Sequence, residues 1–154
     1  MTRTVALISL LMTLAACQRR SPFGDLEWRH GPTQVNLDRL AGRPIVTGTP
    51  FVLESGSEQP GALCGWAIDA QAKQLATGVV LVIDGRHTFV AKYGTERKDV
   101  AEALHQPAFA QAGFELRLAP SDLPRGNHTV SAMVLSADGR GYYRSDHEWA
   151  IAVR

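Results

Sequence analysis

The sequence predicts an all-β domain, an antiparallel β-sandwich of about seven strands with one short helix, behind an exported leader and a tether. Three observations carry this. Short apolar runs rich in β-branched residues recur along the chain, Gly and Asp turn signals separate them, and the start of the chain runs basic, apolar, small, cysteine.

Residues 1–16 read as the leader. Arg3 supplies a positive start, Val5 to Leu14 (VALISLLMTL) is apolar, and Ala15-Ala16 stand before Cys17. This is the order of a secretory signal. The apolar run is about half the ~20 residues that a membrane-spanning helix needs, so permanent anchoring by it is not expected. Leu14-Ala15-Ala16-Cys17 resembles the lipobox of bacterial lipoproteins. The resemblance implies cleavage before Cys17, a diacylglycerol on its thiol and an acyl chain on the new amino group, with no further cofactor. Each buried CH₂ adds ~0.8 kcal/mol, so two or more chains anchor stably where one does not. Gln18 stands where an aspartate would favour inner-membrane retention, which points to the outer membrane, facing the periplasm or the surface.

Residues 17–42 carry no sustained periodicity and read as a tether, touching the domain through Leu26, Trp28 or Leu37. The compact domain is expected over 43–154. Pro44 to Leu53 gives one or two short strands, Gly56 to Gly61 a loop, and Ala62 to Ile68 a strand. Gly78 to Ile83 is β-branched and apolar; Asp84-Gly85 is a strong hairpin turn, and His87 to Tyr93 returns from it. Phe114, Leu116 and Leu118 alternate with Glu115 and Arg117, the period-2 mark of a half-buried strand. Asn127 to Leu135 and Trp149 to Val153 complete the set, with Asp138-Gly139 as a turn between them. Asp99 to Leu104 (DVAEAL) departs from this pattern. Its helix formers and apolar stripe predict a short helix capped by Asp99 and stopped by Pro107, with a second turn near 108–112.

Composition narrows the functions. The 154-residue chain is 45% hydrophobic and 20% charged, which suits one ordinary globular domain. Its net charge of +1, without a long run of one sign, argues against a nucleic-acid partner held by phosphate contacts. With Cys17 acylated, Cys64 has no disulfide partner and reads as a small buried hydrophobe. His30, His87, His105, His128 and His147 show no metal-ligand spacing, so no metal is expected. A Gly-x-Ser-x-Gly elbow and a phosphate loop are both lacking. Acid pairs such as Glu54/Glu58 or Asp146/Glu148 could in principle do glycosidase chemistry, which needs carboxyls at a defined separation, but surface solvation is their default reading.

The densest group of functional side chains is Tyr93 to Val100 (YGTERKDV). It can be read without chemistry. Gly94 lets the backbone leave the strand at positive φ, and Asp99 caps the helix. Arg97 presents a fork for a carboxylate, with Asp69 and Asp84 as acceptors, while Tyr93 lies on the core with its hydroxyl outward. No catalytic residue is assigned. The order Gly65-Trp66-Ala67-Ile68-Asp69, Val80 to Gly85, Tyr93-Gly94-x-x-Arg97-x-Asp99-Val100, Gly113-Phe114 and Gly126-x-His128-Thr129-Val130 resembles a bacterial immunoglobulin-like module over about residues 60 to 153. The resemblance implies a sandwich fold in a supporting, non-enzymatic role. Trp66 is expected in the sandwich core. Adjacent Tyr142 and Tyr143 point to opposite faces, and the exposed one, with Trp28, is a conceivable sugar-stacking surface. The expected partners are the membrane, through Cys17, and an envelope protein or glycan.

Overall fold

A computed structural model of the chain describes residues 24–46, 48–54 and 60–154. Cys17 and the lipobox lie outside the described residues, as does most of the loop expected at 56–61. The fold is all-β. Four short strands lead: β1 (Glu27–Trp28), β2 (Gln34–Leu40), β3 (Arg43–Pro44) and β4 (Phe51–Leu53). Then come β5 (Gly61–Asp69), β6 (Gln74–Leu75), β7 (Gly78–Ile83) and β8 (His87–Thr95). After α1 (Lys98–Ala103) and a 3₁₀ turn at Pro107–Gln111 follow β9 (Gly113–Leu118), β10 (Gly126–Leu135), β11 (Gly141–Arg144) and β12 (Trp149–Val153).

Hydrogen bonds link these strands in the order β1-β11-β10-β7-β8-β9-β5-β2-β3, with β12 beside β10, β4 beside β12 and β6 beside β5. The sheet is mixed rather than antiparallel, because β1 runs parallel to β11 and β4 parallel to β12. Both parallel partners come from the N-terminal segment. That segment reaches the edge by a long connection instead of a hairpin, and only a long connection can join parallel neighbours.

One strand serves both halves of the sheet. His87 to Ala91 of β8 pair with β7, and Lys92 to Thr95 pair with β9. Val79, Leu81, Ile83, Val130 and Val134 from one half share a single core with Leu37, Leu63, Phe114 and Leu118 from the other. Each such side chain, fully removed from water, stabilises the fold by about 1.5–3 kcal/mol. The Asp84-Gly85 turn forms as the residues dictate. Both adopt left-handed φ, +52° and +67°, and Arg86 N–H closes the turn onto Ile83 O at 3.1 Å.

Three expectations fail on local geometry. First, Gln34–Leu40, expected in the tether, is a strand hydrogen-bonded along the length of β5. Its buried residues Val35, Leu37 and Leu40 keep period 2 and then slip by one, because a bulge falls between Leu37 and Arg39. Second, Trp66 is half-buried on the outer side of β5. Leu63 and Ala67 point into the main core, so the alternation puts Trp66 against the helix cluster of Ile68, Val100, Phe109 and Ala112. Third, Asp99 does not cap α1. Arg97 is the capping residue, without a side-chain cap bond, and Asp99 lies inside the first turn.

Gly65 marks the closest approach of β5 to its neighbours. A Cβ there would overlap Asn36 O and lie 2.6 Å from the Phe114 ring. Gly65→Ala is therefore expected to cost about 1–3 kcal/mol, read as a lower urea midpoint with an unchanged slope. An unchanged midpoint would contradict this packing.

Candidate functional site

The Tyr93–Val100 corner is built by two bulges. Gly94, at φ +94°, sits at the register shift between Tyr93 and Thr95, and the β2 bulge lies across the sheet from it. A bulge re-aims the side chain that follows it. Here the two irregularities bring Arg97 and Asp38 together, with Arg97 Nη1 2.7 Å from Asp38 Oδ2. The other edge of the guanidinium grips Asp99, Nε donating to Oδ1 at 2.8 Å and Nη2 to Oδ2 at 2.7 Å. Arg97 thus holds β2 and α1 at once, and its backbone N–H donates to Ala110 O at 2.7 Å. The Asp99 hydrogen bonds, then the charge of Asp38, keep the guanidinium charged beyond the ordinary arginine range. In return Arg97 lowers the Asp99 carboxyl to about 2.

The acceptors expected for Arg97 are engaged elsewhere. Asp69, 1% exposed, accepts from Ala72 N–H at 3.0 Å and Ala137 N–H at 2.9 Å, tying the end of β5 to the β10–β11 turn. Asp84 takes His128. Tyr93 also differs from expectation, for its hydroxyl turns inward, donating to Ala67 O at 2.7 Å and accepting from Ala76 N–H at 3.2 Å. Burial pushes this phenol up to about 12. Asp38 falls in the stretch expected to be a tether, where nothing in its immediate neighbours singles it out. Its signal was the Val-x-Leu-x-x-Leu spacing of a bulged strand at 35, 37 and 40.

His128, 7% exposed, is the one buried histidine among the described residues. Its Nε2 lies 2.8 Å from Pro124 O, which can only accept, so Nε2 carries a proton. Nδ1 lies 2.7 Å from Asp84 Oδ2, and Asp84 Oδ1 accepts Thr129 N–H at 3.0 Å. The arrangement is that of an imidazolium between a carbonyl and a carboxylate. The Asp84 hydrogen bond, then the Pro124 carbonyl, raises the His128 pKa above its ordinary 6.5; His128 lowers that of Asp84 below 3.8.

A third fastener lies at the far edge. Arg29 Nη2 donates to Asp138 Oδ2 at 2.7 Å, while Ser136 Oγ, fully buried, donates to Asp138 Oδ1 at 2.6 Å and accepts from Gly141 N–H at 2.9 Å. Asp138, held by Arg29, stays far below the ordinary carboxylate range. Beside this edge Trp28 and Tyr142 are register partners on β1 and β11, with Trp28 54% exposed and its ring centroid 4.2 Å from that of His30. Tyr143 faces the other way and is buried. Two of the three candidate sugar-stacking aromatics therefore share a face, and the third does not.

Asp38, Arg39, Cys64, Thr95, Arg97 and Glu115 line a surface hollow of about 710 Å³. Burial, then Glu115 and Asp38, raises the Cys64 thiol pKa, so it stays protonated and weakly nucleophilic. Glu54, Asp146 and Glu148 are exposed, and Glu58 lies outside the described residues. Both ring nitrogens of His128 are taken, one by Asp84 and the other by the Pro124 carbonyl. None of the His, Cys, Asp and Glu among the described residues gather in threes about a metal position. None of the described helices is long and apolar enough to cross a membrane.

No family model matches the chain, and no curated protein matches it. Among solved structures, the endo-β-1,4-mannanase from Thermotoga petrophila aligns with a TM-score of 0.45 and 8% identity. The alignment covers 80% of this chain and 20% of that one, so the chain spans about a fifth of the mannanase's length.

Two predictions follow from the fasteners. Arg97→Ala and Asp38→Ala should each lower Tm by several degrees, and Asp99→Ala by less. The Asp99 side chain is 67% exposed against 27% for Asp38, and exposed pairs contribute about 0–1 kcal/mol. Equal losses at Asp38 and Asp99 would contradict the ranking. For the buried pair, a raised His128 pKa gives stability that is full below 6.5 and lost as pH rises through the folded value. A lowered Asp84 pKa gives stability that is present above 3.8 and lost as pH falls. The combined contribution is therefore fullest between those values. Tm should fall from about pH 6 to pH 9 more steeply in the wild type than in His128→Gln, measured by thermal melts; parallel curves would refute the imidazolium.

Proposed function

We propose that this chain is a lipid-anchored protein of the bacterial cell envelope, held by an acylated Cys17 and carrying an immunoglobulin-like β-sandwich that binds an envelope protein or glycan without making or breaking bonds. The observation that carries the reading is Leu14-Ala15-Ala16-Cys17 at the end of a basic-then-apolar leader. The shared core of the two sheet halves supports the sandwich, as does β4 running beside β12 at the edge. The use of Arg97, His128, Asp69, Asp84 and Asp138 as fasteners supports a scaffold role, since each is already bonded to another part of the fold. Gln18 favours the outer membrane, with the domain in the periplasm or at the surface.

A glycan partner has a specific observation behind it, the exposed Trp28 beside Tyr142. An enzyme acting on envelope polysaccharide would have to work through exposed carboxylates such as Asp146 and Glu148, and a purely structural accessory through the β3 or β1 edge.

Labelled palmitate is expected to enter the wild-type protein and not Cys17→Ser. In-cell crosslinking with mass spectrometry is expected to return a specific envelope neighbour. An unlabelled wild type would end the anchor reading, and cleavage of an envelope glycan by the purified protein would replace a binding module with an enzyme.

A further inference from the structure

β1 has a slender hold on the sheet. It is two residues long, both are exposed, and the amides at its ends donate to β11, Glu27 N–H to Arg140 O at 3.0 Å and Arg29 N–H to Tyr142 O at 2.9 Å. Residues 30–33 make no strand pairing. The next strand is different in kind, because β2 pairs with β5 from Gln34 to Leu40 and buries Val35, Leu37 and Leu40. A local opening of β1 can therefore stop at β2. The place that receives β1 is built without it. Asp138 is fixed from its own turn, Oδ1 accepting Ser136 Oγ–H at 2.6 Å and Arg140 N–H at 3.0 Å, and it offers Oδ2 to Arg29 at 2.7 Å. The Arg29 and Asp138 side chains are 27% and 47% exposed, so water competes for this ion pair. Gly141 admits the close approach. A Cβ there would lie 2.6 Å from Arg29 Nε and 2.7 Å from Glu27 O, and its three nearest neighbours all belong to this segment.

We propose that Glu27–Arg29 is a clasp that opens ahead of the rest of the fold, and that the β11 edge beneath it takes an extended strand from a protein partner, one carrying an arginine or lysine where Arg29 now lies. The inference rests on the binding-module reading above and adds the kind of partner and the place where it sits. A sheet edge presents carbonyls and amides at the spacing another strand needs. Main-chain bonds supply the affinity, and side-chain positions supply the choice. Here the carbonyls of Arg140 and Tyr142 set the spacing, and the preset Asp138 carboxylate selects a cation. β1 runs parallel to β11, so the incoming strand does too. The edge is also longer than its present occupant. β11 continues through Tyr143 and Arg144, whereas β1 pairs with Gly141 and Tyr142. A longer strand gains pairing that the clasp does not make, and so displaces it.

Native-state hydrogen exchange and a peptide titration, both on the full chain in detergent micelles, test this. The Glu27 and Arg29 amides should exchange at least about a hundredfold faster than the slowest amides of β2. Arg29→Ala loosens the clasp and leaves the receiving edge intact, so it should speed exchange at Glu27 with an unchanged melt. The probe is the peptide DLEWRHG, residues 25–31 of this chain, added at millimolar concentration to the ¹⁵N-labelled protein. It should shift the Gly141 and Tyr142 amides saturably, and bind Arg29→Ala about tenfold tighter than the wild type, where the native segment competes. Alanine for arginine in the peptide, or Asp138→Asn in the protein, should weaken binding about fivefold, and Gly141→Ala should abolish it. Amides at Glu27 and Arg29 as slow as those of β2 would overturn the clasp. Shifts that fail to saturate, or that ignore the peptide arginine, would overturn the docking edge. Neither failure bears on acylation of Cys17 or on in-cell crosslinking, where the binding-module reading stands or falls.

Discussion

The structure depends on one strand belonging to two partners. Residues 87–91 of β8 complete the half formed with β7 and β10, and residues 92–95 complete the half formed with β9 and β5. Such a strand must bend without exposing its amides, and it must be held at its far end, or the two apolar faces would not stay together over one core. Gly94 supplies the bend at positive φ. Tyr93 drives its hydroxyl between Ala67 and Ala76, and Arg97 carries the hold across to β2 and α1. The dense charge of the YGTERKDV segment is thus a mechanical consequence of the sheet's path.

The same logic runs through the other polar groups. Burying a charge is costly unless it is paired and fully hydrogen-bonded. Three of the polar side chains in the described residues meet that condition across a long stretch of sequence: Asp69 to Ala137, Asp84 to His128, Tyr93 to Ala67. These contacts join segments that hydrophobic burial alone would leave free to slide, and so set register. Asp84 and His128 each favour the other's charged form, and burial keeps the Tyr93 phenol protonated, which suits bracing more than proton transfer. The reading of the protein as a scaffold draws its support from these fastened polar groups.

Most strands were legible because their apolar residues follow one rule. Phe114, Leu116 and Leu118 alternate, Val79 to Ile83 is continuously apolar, and Asp84-Gly85 favours a turn that few other pairs adopt. What escaped was set by geometry that periodicity does not encode. The β2 bulge breaks the alternation after Leu37, so a strand paired along β5 reads as an aperiodic tether and hides Asp38. Trp66 could be placed on a strand but not on a face, since β5 is apolar on both sides, Leu63 and Ala67 on one and Trp66 and Ile68 on the other. The two-residue strands β1, β3 and β6 have no pattern of their own and exist through their neighbours. Within the candidate site, Arg97 and Gly94 followed from local chemistry, whereas their long-range partners required the fold.

Native-state hydrogen exchange across β2, β8 and α1 tests the central claim most directly, because it asks whether the Arg97 corner unites these elements into one cooperative unit. The account predicts that their slowest amides open with a common free energy equal to global unfolding, and that all three drop together in Arg97→Ala. If β2 instead opened separately at low free energy while β8 and α1 kept their protection, the clamp would be an incidental surface contact and the account would be contradicted.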